Sequence, residues 1–152
     1  MGNFPGRAPA FRQFRITKTS KAPAEADENL TADMARAFEK HSGLGTLKSP
    51  CLVTGKSGVR HSFTFGYGEV PDVKVVGDVV VNDEPVDETK VLSLFIKVYD
   101  VGARHAVLCV VPSLTPEAKK LSGLYKIVTV EAGDKGRLPG MASDVLQRLS
   151  KS

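Results

Sequence analysis

Tryptophan is absent, and cysteine occurs only twice, at Cys51 and Cys109. Two thiols cannot make the disulfide framework of a small secreted domain. Both fall in apolar, strand-like stretches and are expected as buried, reduced side chains. No stretch approaches the ~20 apolar residues that cross a bilayer. The basic N-terminus lacks the apolar core of a secretory signal. Met1-Gly2 opens like a myristoylation site, but Gly6 stands where Ser or Thr is required. A cytoplasmic protein with no membrane partner is the expectation. The three histidines, His41, His61 and His105, have no metal-ligand spacing. No internal repeat is present.

Acid is missing from one end. Residues 1–21 carry Arg7, Arg12, Arg15, Lys18 and Lys21 with no Asp or Glu, a charge of +5. The remaining residues carry a net charge of −1, so the overall +4 belongs to the leader. Pro5, Pro9 and Pro23 interrupt residues 1–28, which show little helical or strand period and are expected to form an extended, flexible arm. Phe4, Phe11 and Phe14 alternate with the arginines. Rings are unusual in a linker, so these are expected to dock on a base, a partner or the domain itself. Residues 29–152 are expected to form one α/β domain, since 41% hydrophobic content is ordinary for a folded chain.

The chain is organised around Val73–Pro112. Val73–Val81 holds six valines, too many β-branched side chains to sit easily in a helix. Pro85 ends that run. Asp87 or Thr89 is placed to cap a helix with Val91, Leu92, Leu94, Phe95, Ile96, Val98 and Tyr99. Within it, Lys97 is expected to snorkel to solvent. Ala106–Val111 is a continuous apolar run, as for a strand covered on both faces. Two strands joined by one helix are expected to be parallel, with a right-handed connection.

Upstream, Asn29–Ser42 predicts a helix burying Leu30, Met34, Ala37, Phe38 and His41. Pro50–Thr54 and Val59–Phe65 predict a hairpin around Gly55-Lys56-Ser57-Gly58, and Gly66–Pro71 a turn. The Gly-Lys-Ser sequence is not a phosphate loop, because Pro50 replaces its first glycine and no helix follows. Ser57 has no general base nearby in sequence, and His61 is expected to be a hydrogen-bonded core histidine. Downstream, Ser113 or Thr115 caps a helix with Pro116 at its first position. Ile127–Val130 predicts a strand reached by a second crossover, and Met141–Leu149 a final helix.

Two segments carry a family resemblance. TGKSGVRHSFTF at 54–65 is similar to the G-x-S-G-x-x-H-x-F-D hairpin of the restriction-endonuclease-like superfamily. IKVYDVGARHAVLCVVPSLTPEAKKLSGLYKI at 96–127 resembles its later strand, helix and strand. The likeness covers roughly residues 29–131. It implies an α-β-β-β-α-β-α-β core with a mixed sheet flanked by helices. The family cuts phosphodiesters with a divalent metal held by carboxylates and a lysine beside the attacking water. Here the acid of the second strand falls on Thr64. Asp78 stands at the acid of the third strand, with Val80 at the lysine position. Asp72-Val73-Lys74 supplies a shifted Asp-x-Lys. Strand alternation puts Asp72, Lys74, Val76, Asp78 and Val80 on one face, and Glu39 matches the acid some members take from the first helix.

The resemblance therefore implies a degenerate nuclease, with Asp78 as the metal ligand if any. The leading expectation is a non-catalytic nucleic-acid-binding or accessory protein without a cofactor. It would contact phosphates through Arg7, Arg12, Arg15, Lys18 and Lys21 and stack Phe4, Phe11 and Phe14 on bases. One alternative is a Mg²⁺-dependent nuclease using Glu39, Asp72, Lys74 and Asp78. Another is a structural subunit of a larger protein or ribonucleoprotein assembly.

Overall fold

The computed structural model describes residues 17–18, 24–69 and 71–151. The chain is α/β: a mixed sheet with helices on both faces. Its strands are β1 (Thr17–Lys18), β2 (Leu47–Lys48), β5 (Phe65–Glu69), β6 (Asp72–Val81), β7 (His105–Val111) and β8 (Val128–Glu131). The order is β2-β5-β6-β7-β8, with β1 also paired to β6. A separate two-stranded sheet holds β3 (Cys51–Thr54) and β4 (Arg60–Phe63). The helices are α1 (Ala24–Phe38), α2 (Glu88–Val101), α3 (Pro116–Leu124) and α4 (Leu138–Leu149). No helix among the described residues is long and apolar enough to cross a membrane.

The valine run forms as its composition requires. β6 pairs in parallel with β7, and β7 with β8, through two successive helical crossovers. The Asp87 carboxylate caps α2 by accepting from Thr89 N at 3.0 Å, and Gly102 ends it in the left-handed conformation. Thr115 caps α3. Val75, Val79 and Val81 pack under α1 and α4 with Met34, Phe38 and Leu146. Val76 and Val80 pack on the other face under α2 and α3 with Val91, Leu94 and Leu108. Burial on both faces explains the continuous apolar run of β7 and the valine density of β6.

Three expectations change. The first helix starts at Ala24, inside the segment assigned to the arm, where alanine and glutamate favour helix. It ends at Phe38, whose carbonyl accepts from Tyr67 OH at 2.6 Å and from His41 N at 3.2 Å. The expected strand Val59–Phe65 breaks at Thr64, which sits between the two sheets. The expected turn Gly66–Pro71 is largely β5, antiparallel to β6. Phe65 and Tyr67 are core residues there. Gly66 lets β3 cross closely, since a β-carbon on it would lie 2.5 Å from Cys51 Sγ.

A bulge also interrupts β6. Gly68 pairs with Val73 and Tyr67 with Val75, leaving Lys74 as an extra residue. Val73 consequently packs with Val76 and Val80, on the side that simple alternation assigned to Lys74.

Candidate functional site

Polar side chains gather where the β3–β4 hairpin meets α2. Lys97 and Asp100 stand one helical turn apart, and each reaches a different element. Lys97 does not snorkel outward. Its Nζ lies 2.8 Å from Asp78 Oδ2 on β6 and donates to Ser62 O at 2.7 Å. It also sits 4.7 Å from the Phe63 ring centroid. Asp78 Oδ1 accepts from Thr64 N at 3.0 Å, and Thr64 Oγ1 accepts from Val79 N at 3.1 Å. Thr64 thus leaves the sheet ladder and is pinned to β6 by side-chain bonds, which is why the expected strand splits there.

Asp100 organises the hairpin loop. Its Oδ2 accepts from Ser57 Oγ at 2.6 Å and lies 2.8 Å from His61 Nε2, while Oδ1 accepts from Ser57 N at 3.0 Å. Its backbone carbonyl accepts from Lys56 N at 2.9 Å. The Ser57 hydroxyl, then His61, then the Ser57 amide hold the Asp100 carboxyl down at about 2. A β-carbon on Gly55 would overlap this carboxylate, and Gly58 turns with φ +91. The glycines, serine and histidine of the hairpin pattern therefore serve one aspartate, supplied from 39 residues away. His61 is hydrogen-bonded as expected, but at this seam and outside the two core clusters. Ser57 bonds Asp100 and makes no bond to His61, so the three do not form a nucleophile–base relay.

The four residues proposed as a cutting centre do not assemble. Asp72 is exposed and pairs with Arg104 at 3.2 Å. Lys74 is the bulge residue. Glu39 follows α1 and lines an open cleft of about 450 Å³ with His41, Leu47 and Tyr67. Phe38 and Tyr67 of that cleft belong to the core under α1 and α4, whereas Lys97 brings α2 to Asp78. Among the described residues no three His, Cys, Asp or Glu side chains converge to hold a metal. Asp78 offers one carboxylate, already shared between an ammonium and an amide. These residues do not fit the metal centre implied by the family resemblance.

Of the nucleic-acid contacts expected on the arm, Lys18 lies in β1, where its backbone pairs with Val81. Arg7, Arg12, Arg15, Lys21, Phe4, Phe11 and Phe14 lie outside the described residues. Sequence reasoning missed Lys97 and Asp100 as partners. The one available signal was their charge on an otherwise apolar helix.

A crystal structure of a protein of unknown function, AF1548, shares this fold. The TM-score is 0.53 at 19% sequence identity, over 66% of this chain and 55% of that one, so the chain spans about half of that protein's length. No family model and no curated protein matches the chain.

Proposed function

We propose that this chain is a non-catalytic nucleic-acid-binding or accessory protein, built on a degenerate scaffold of the restriction-endonuclease type. The observation that carries the reading is the pairing of Asp78 with Lys97 at 2.8 Å. Asp78, which stands at the acid of the family's third strand, is neutralised by the chain's own ammonium. Thr64 stands where a second acid is needed, and donates an amide to the first. Grip on a polyanion falls instead to the acid-free leader, with its five cations and three interleaved phenylalanines.

Salt dependence tests this. Each neutralised phosphate contributes about 0.7–0.9 to the slope of log affinity against log salt, so five contacts give about 4. Arg7→Ala/Arg12→Ala/Arg15→Ala should lower that slope by about 2–3 on single-stranded DNA and RNA. This variant is preferable to deleting residues 1–21, because Thr17–Lys18 is a strand of the sheet. An unchanged slope, or no binding by the wild type, overturns the reading.

A second reading has one observation in its favour. Lys97 brings a lysine within 2.8 Å of Asp78 from α2, the residue type a Mg²⁺-dependent nuclease needs there. Cleavage of DNA or RNA in Mg²⁺ or Mn²⁺ that is lost in Asp78→Ala would establish it over the first.

A further inference from the structure

α2 keeps a stripe that the sheet does not cover. Tyr99 is 74% exposed and Ile96 63%, and Leu92 lies one turn further back on the same side. Tyr99 also belongs to an aromatic row. Phe95 stacks on Tyr125 with centroids 4.1 Å apart, and lies 6.1 Å from Tyr99. One cation stands over the outer ring of the row and another follows its inner ring in the chain. Lys56 Nζ is 5.9 Å from the Tyr99 centroid, and Lys126 follows Tyr125 directly and is exposed. Neither lysine has an ion-pair partner among the described residues. Asp100, whose backbone carbonyl bonds Lys56 N, has its carboxylate occupied by Ser57 and His61.

The geometry points to a base-stacking platform for single-stranded nucleic acid on the outer face of α2. One base lies on the exposed Tyr99 ring, on the side away from Lys56, with Ile96 beside it, and flanking phosphates meet Lys56 and Lys126. An exposed ring with an uncompensated cation over it suits a strand that offers a π-face and phosphates together. A duplex keeps its bases stacked inside and offers no free base face to this surface. The platform rests on the nucleic-acid reading and extends it to the folded domain.

The chain's composition supplies a probe. There is no tryptophan, and the leader contains phenylalanine but no tyrosine. Of the three tyrosines, Tyr67 is buried and bonded to a carbonyl, and Tyr125 is stacked on Phe95. Tyr99 is the most exposed of the three, so the part of a quench that disappears in Tyr99→Ala reports on it. Full-length protein is titrated with an end-labelled oligo-dT of about 12 nucleotides, a length within one single-strand site. A matched duplex serves as control. Binding of the single strand should quench tyrosine emission. Tyr99→Ala should remove the quench and weaken single-strand affinity about tenfold with duplex affinity unchanged, while Tyr99→Phe stays within about twofold of wild type.

Undiminished affinity and quench in Tyr99→Ala overturns the platform and leaves the leader reading standing, provided the triple arginine variant still loses its salt slope. Absence of any wild-type binding overturns both. A self-association lost in Tyr99→Ala, with oligonucleotide affinity unchanged, would assign the stripe to a second copy of the chain and overturn the platform.

Discussion

Lys97 on α2 and Asp78 on β6 meet at 2.8 Å, each with under a fifth of its side chain exposed. Breaking such a pair leaves a largely buried charge without its partner. Asp78→Asn or Lys97→Met alone should destabilise the fold by about 2 kcal/mol, less than for a fully buried pair because solvent screens part of the charge. The double variant should recover part of that loss. Urea unfolding of all four proteins gives the coupling directly, and strict additivity would mean the pair contributes no interaction of its own.

The hairpin loop depends on the space left by Gly55. Gly55→Ala should displace the Asp100 carboxylate and free the β3–β4 hairpin from α2 without unfolding the main sheet. Amide exchange in residues 55–61 should then quicken at least about tenfold, while β6 and β7 stay protected. Asp100→Asn keeps the shape but weakens its charged hydrogen bonds, and should show a smaller effect on the same amides.

Acid should loosen the same contact. Asp100 is held at about 2, against an ordinary 3.8. A carboxylate lowered in this way contributes its stability above the unfolded value and loses it as pH falls through the folded one. Hairpin protection should therefore fall between about pH 4 and pH 2, and this step should be missing from Asp100→Asn. A wild-type profile identical to the variant's would contradict the assignment.

Neither thiol should react in the native protein. Burial raises the Cys51 thiol, partly offset by Lys48, and pushes Cys109 up to about 12 with help from Asp78. An aromatic disulfide reagent at about pH 8 should label neither residue until urea unfolds the chain, and then both. Rapid labelling of one thiol would show that its strand opens locally.

The crossover from Val73 to Val111 was legible because its signals are local: β-branched density, Pro85, a capping aspartate and an apolar helix. The hairpin was legible for the same reason. The break at Thr64 was not, because it depends on an aspartate 14 residues away whose own partner is 19 residues further on. Strand β5 was hidden by Gly66 and Gly68, which read as a turn but permit close approach of Cys51 and of β6. Lys97 and Asp100 were visible as charges on an apolar helix, but the partners that give them meaning lie across the fold. For the leader, composition stated a charge and a ring pattern, and those residues, Lys18 apart, lie outside the described structure.

The bulge at Lys74 makes the long central strand unequally tolerant of a lost codon. Val73 and Val75 already face opposite layers, so removing Lys74 would join them as ordinary neighbours and leave every valine in its own layer. Removing Val76, two positions along, would instead turn one half of the strand over and drive Asp78 into the wrong layer. Single-residue deletions scanned through β6 should therefore yield soluble protein at Lys74 and aggregates beyond it.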